Sequence, residues 1–139
     1  MIALDLASAL RKQIAQSVRV DAVSDDRIEI STPYTYPDGD HYGFVAMRDG
    51  SNWQLSDEGD VLTKASYSGV DLLAKGHRER LSRTIEFYGL KESDGQLTYD
   101  IPEDGFGDGF FAFTQACLDI NRLTKLAPER QKPKQRVVG

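Results

Sequence analysis

The sequence predicts an α+β domain in which helices cover a mixed or antiparallel sheet. Three observations lead there. Apolar residues recur every four positions at Ile2, Leu6, Leu10, Ile14 and Val18, and return at helical spacing at Phe110, Phe113, Cys117 and Ile120. Between these two ends, runs of alternating apolar and polar residues are joined by turns too short for the crossovers that parallel strands need. No internal repeat is visible, and 139 residues with 40% hydrophobic content suit one core rather than two.

The first helix carries Ala3 and Ala7 beside its apolar stripe and Arg11, Lys12 and Gln16 opposite. Residues 21–27 read as a polar break. Ile28 and Ile30 then alternate with Glu29 and Ser31, as on a half-buried strand. Pro33 offers no backbone donor, so this strand is expected to end there or to lie at a sheet edge. Pro37-Asp38-Gly39-Asp40 is turn chemistry. Tyr42–Met47 makes a second strand, Asp49-Gly50-Ser51-Asn52 turns the chain, and Trp53 and Leu55 alternate on a third. The three form a meander.

Ser56-Asp57-Glu58 looks like a helix start, with a capping oxygen ahead of acidic groups at the positive end of the dipole. That short helix is expected to end at Ser68-Gly69. A longer one begins near Asp71, with Leu73, His77, Leu81, Ile85 and Tyr88 on one face, Gly76 inside it and Gly89 as its stop. Asp94-Gly95 is a strong hairpin signal joining Leu90–Glu92 to Leu97, Tyr99 and Ile101. Gly105, Gly107 and Gly109 interrupt the loop before the last helix. Periodicity stops at Ala127-Pro128, so the expected division is a domain of residues 1–126 and a basic flexible tail of residues 127–139.

The chain holds 17 basic and 22 acidic residues, a net charge of −5, which excludes simple polycation binding to nucleic acid. The balance is local. Residues 21–60 carry ten acidic side chains against two basic, while the tail holds Arg130, Lys132, Lys134 and Arg136. Met1–Leu6 lacks the features of a signal peptide, and no apolar run is long enough to span a bilayer. The single cysteine, Cys117, sits among Phe113, Leu118 and Ile120 as a small buried hydrophobe. A cytoplasmic setting is expected.

Ile30-Ser31-Thr32-Pro33-Tyr34-Thr35-Tyr36-Pro37-Asp38-Gly39-Asp40, then Leu55-Ser56-Asp57-Glu58-Gly59 and Gly69-Val70-Asp71-Leu72, carry a family resemblance. Together with Tyr88-Gly89 and the aromatic last helix, they resemble the bacterial and phage family called domain of unknown function 1828. The resemblance spans roughly residues 28–123. It implies a small bacterial or phage-borne protein and no particular activity. A looser similarity is one of element order alone: helix, three strands, helix, two strands, helix is also the order of type III secretion chaperones.

Five groups of residues invite a functional reading. Asp38, Asp40 and His41, with Asp57 and Glu58, are donors of the kind that hold a divalent metal for hydrolysis, although Asx turns explain the same aspartates. Helix capping equally explains Ser56–Gly59. Tyr34 and Tyr36, flanked by prolines, are expected as a surface pair beside these carboxylates, with Trp53 in the core. Gly105-Phe106-Gly107-Asp108-Gly109 precedes a helix, but lacks the Lys-Ser/Thr of a phosphate loop and carries repelling aspartates. The basic tail could neutralise a few phosphates or meet an acidic surface.

No nucleophilic triad, P-loop or zinc spacing appears, and no cofactor is expected. The function expected is that of a non-catalytic cytoplasmic binding or regulatory protein acting by protein–protein contact, with modulation of a host or defence component as one role it would suit. Its protein-binding residues would be Tyr34, Tyr36, Asp38, Asp40, Asp57 and Glu58. A homodimer is expected from an unpaired edge strand, with no membrane and no nucleic-acid partner except through the tail. The alternatives are a metal-dependent hydrolase or nuclease at Asp38, Asp40, His41, Asp57 and Glu58, and an acidic nucleic-acid mimic.

Overall fold

The computed structural model describes residues 2–129, and its centre is one six-stranded antiparallel sheet ordered β1-β2-β3-β4-β6-β5. The strands are β1 (Arg19–Ser24), β2 (Arg27–Thr35), β3 (His41–Asp49), β4 (Asn52–Ser56), β5 (Lys91–Ser93) and β6 (Gln96–Pro102). The helices are α1 (Ala3–Ser17), α2 (Asp60–Tyr67), α3 (Arg78–Tyr88) and α4 (Phe106–Arg122). This is the α+β class. The predicted meander (β2–β4) and hairpin (β5–β6) both form. They fuse because β4 pairs with β6, setting Trp53 opposite Ile101 and Leu55 opposite Tyr99.

Alternation decides which face is covered. Ile30, Phe44, Ala46, Trp53, Leu55, Leu97 and Ile101 point to one side and are buried there. Phe113, Ala116, Cys117 and Ile120 of α4 lie against them, with Val61 and Ala65 of α2 and Leu81 of α3 completing the core. Phe113 meets Phe44 edge to face with ring centres 4.8 Å apart. The opposite side of the sheet is polar: Gln54 donates to Asp100 at 3.0 Å, and Lys91 pairs with Asp100 at 2.9 Å.

Five expectations are corrected. The polar break at 21–27 is a strand and a turn: β1 pairs along β2 from Arg19↔Ser31 to Ser24↔Arg27. It is exposed at every position, so ladder hydrogen bonds rather than burial hold it, and a burial pattern could not announce it. With β1 outside it, β2 is no edge. Pro33 sits instead where the β2–β3 register shifts, between Ser31 and Thr35.

The long helix starts at Arg78, not near Asp71. Gly76 has φ +94°, a left-handed backbone that stops a helix, and Leu72 is buried as an anchor within the preceding turns. At the other end, α4 starts at Phe106 and takes Gly107 and Gly109 inside it. Gly109 lies so close to β6 that a Cβ there would stand 2.6 Å from Cδ1 of Ile101. That glycine sets the helix-to-sheet spacing.

The body also runs past residue 126. The Glu129 amide donates to the Gly76 carbonyl at 2.8 Å, and its carboxylate pairs with Arg80 at 3.1 Å and with Arg83. Ala127–Glu129 are therefore held against the start of α3. Arg130, Lys132, Lys134 and Arg136, the expected basic tail, lie outside the described residues. Last, α1 forms as predicted but buries no residue.

Candidate functional site

The register shift in β2 leaves backbone groups without ladder partners, and the T-P-Y segment supplies them. The buried Thr32 hydroxyl donates to the Tyr42 carbonyl at 2.8 Å and accepts from the Tyr34 amide at 3.2 Å. The Thr32 carbonyl accepts from Nδ1 of His41 at 2.7 Å. The segment thus repairs its own broken ladder, as buried polar groups require. His41 is part of that repair rather than a free imidazole.

Beyond the bulge the chain closes a tight loop. The Tyr36 amide donates to the Asp40 carbonyl at 2.8 Å, and the Gly39 amide donates to the Tyr36 carbonyl at 2.9 Å. Tyr36 is only 3% exposed and stacks on Tyr42, ring centres 3.8 Å apart. Burial drives the Tyr36 phenol far above its ordinary range and pushes Tyr42 up to about 12. Tyr36 is consequently not half of a surface pair. Its flanking prolines suggested exposure, but the loop turns its ring inward, leaving Tyr34 exposed without it.

The residue that sequence reasoning passed over here is Lys64 of α2. Its ammonium group lies between Asp38, at 2.5 Å, and Asp40, and it also faces the Tyr36 ring 5.5 Å from its centre. The Lys64 hydrogen bond holds the Asp38 carboxyl below the usual carboxylate range. Nothing in the local sequence links position 64 to a turn some 25 residues earlier. Around this clasp, Asp40, His41, Asp60, Thr63, Lys64 and Tyr67 line an open cleft of about 410 Å³.

Asp57 is the second correction. It is 1% exposed, so it offers no surface to a partner. Its Oδ1 accepts from the amides of Gly59, at 2.9 Å, and Leu97, at 2.8 Å, while Oδ2 accepts from Val61 at 3.0 Å. One carboxylate therefore caps α2 and ties it to β6. Burial pushes its carboxyl above the ordinary value, against the downward pull of those three donors. Glu58 remains exposed, in a left-handed turn (φ 55°), with Arg27 at 3.9 Å.

The expected metal donors do not converge. Lys64 occupies Asp38 and Asp40, His41 is on a carbonyl, and Asp57 faces three amides. Among the described residues no three His, Cys, Asp or Glu side chains gather to hold a metal ion. His77 lies at the start of α3, and its Nδ1 is buried without a hydrogen-bond partner among the described residues.

A different feature stands open. Val18, Val20, Ile28, Ile30, Trp53, Phe106, Gly107 and Phe110 line an apolar cleft of about 450 Å³, where the β1–β2 end of the sheet passes the start of α4. The alternation of Ile28 and Ile30 was a local signal of one wall; the wall at Val18 and Val20 depends on a strand that the sequence did not reveal. Among the described residues no helix is long and apolar enough to cross a membrane.

The observed order places a fourth strand before α2 and two helices between β4 and β5, departing from that of type III secretion chaperones. No curated protein and no solved structure matches the chain. The family described as Domain of unknown function DUF1828 matches residues 32–120, from the Thr32 of the repaired bulge to the last buried residue of α4. α1 and β1 fall outside that span. The T-P-Y, D-G-D and L-S-D-E-G segments lie within that span and fasten the fold of this chain, and the chain belongs to the DUF1828 family.

Proposed function

We propose that the chain is a non-catalytic binding module acting through protein–protein contact, with its N-terminal apolar surface as the contact face. One observation carries this reading. Of the fourteen exposed large hydrophobics among the described residues, seven fall within the first 23 positions: Ile2, Leu4, Leu6, Leu10, Ile14, Val20 and Val23. Exposed apolar side chains concentrated in one stretch of the chain mark an interaction site more often than scattered single exposures do. It supplants the Tyr34–Glu58 segment, whose two buried members hold the fold together. The resemblance carries the expectation of a bacterial or phage setting, and the single buried thiol suits a reducing cytoplasm.

Trp53, the one tryptophan of the chain, lines the cleft and reports on its occupancy. Calorimetric titration with candidate protein partners, followed in parallel by Trp53 emission, is the test. Binding should shift the emission and be lost in Val20→Glu. Binding that leaves the emission unchanged and survives Val20→Glu would place the contact face elsewhere.

A further inference from the structure

We infer that the occupant of the apolar cleft is α1 of a second copy, each copy of a homodimer laying its helix stripe in the other's cleft. This deepens the proposal above and rests on its contact face. The chain carries two apolar features of matching chemistry: an exposed helix stripe, and a cleft that opens beside the 62%-exposed Val20. One is the stripe of Ile2, Leu6, Leu10 and Ile14, each more than half exposed. The other is the cleft bounded by Val18, Val20, Ile28, Trp53, Phe106 and Phe110. Helix-in-groove contacts are read from stripes at this spacing.

The connection rules out the chain's own helix. α1 ends at Ser17 and β1 begins at Arg19, so Val18 alone joins them, in extended conformation (φ −108°, ψ 118°). A helix that doubles back over the strand it leads into needs a connection of a few residues. α1 accordingly stands clear of the sheet, with no buried residue. Because Val18 itself lines the cleft, α1 springs from the rim. A two-fold axis beside Val18 carries each helix across to the other copy, the self-complementary geometry of a C2 pair. Fifteen residues give a helix about 22 Å long. The two-fold arrangement doubles the area that a single helix-in-groove contact would bury, in the direction of the roughly 1,600 Å² of a standard interface.

The test uses the full chain and variants at exposed positions, where folding is not at stake. Sedimentation equilibrium should show a dimer. Leu6→Glu with Leu10→Glu, and separately Val20→Glu, should each weaken it by more than about a hundredfold, since each loses buried apolar side chains. Mixing the two variants should restore association in part, because one intact helix then meets one intact cleft.

A chain that stays monomeric while binding a foreign protein at the cleft overturns the second-copy inference and leaves the binding proposal standing. A monomer whose Trp53 emission answers no partner sinks both. A dimer that survives the variants, or one lost without rescue on mixing, overturns the reciprocal arrangement.

Discussion

α1 and α4 make an instructive pair. Both are amphipathic helices of similar length, 15 and 17 residues, at opposite ends of the chain. α4 buries seven residues, and its Phe113, Cys117 and Ile120 are wholly enclosed. α1 buries none. Periodicity states that a helix has an apolar face to cover; it does not say what covers it. For α4 the cover is the sheet, met through Gly109 at a distance only glycine permits. For α1 the described chain offers no such surface.

Substitutions in the two helices should therefore behave as different kinds of event. Phe113→Ala in α4 should cost about 3–5 kcal/mol by denaturant unfolding, since it opens a cavity against Phe44. Leu10→Ala in α1, measured in the dissociated Val20→Glu background, should stay within about 0.5 kcal/mol. Comparable costs would erase the contrast.

Asp57→Asn comes next, at about 2–4 kcal/mol. An amide nitrogen would face one of the three donors that the carboxylate now satisfies. This substitution also has a pH signature. Because the folded carboxyl titrates above its ordinary value of 3.8, its contribution is fully present below that value. It declines as pH rises through the folded value, and Asp57→Asn should remove this decline from the stability profile.

Gly109→Ala should lose about 1–3 kcal/mol: overpacking against the buried Ile101 outweighs the gain in helix propensity. A stabilised variant would show that α4 can lift off β6 without penalty. Lys64→Met should have the smallest effect, loosening the Asp38–Asp40 loop without unfolding the core. Asp38 is held below its ordinary value, so the clasp acts above that value and is lost as pH falls through the folded one. About 1 M salt should mask the difference between Lys64→Met and the parent chain in thermal melts.

What sequence reasoning reached follows from which signals are local. The meander, the Asp94-Gly95 hairpin and the stripe of α4 are written within windows of about a dozen residues, and each appears where expected. β1 was hidden because it is stabilised by pairing with β2 and not by a buried face. The start of α3 was misplaced because Leu73 and His77 keep helical spacing across Gly76, whose backbone breaks it. At the candidate site, Asp57 was legible as a cap, but its bond to Leu97 joins residues 40 apart. Tyr36 was misread because stacking on Tyr42 depends on how the intervening loop closes. Lys64 and the apolar cleft were invisible for the same reason: each is assembled from distant segments.

Cys117 is fully enclosed on the inner face of α4, and burial raises its thiol well above its usual range. A thiol reagent can reach that sulfur only when the helix parts from the sheet. The rate at which the chain takes up such a label is therefore a clock for the opening of its interior, wound into the native sequence.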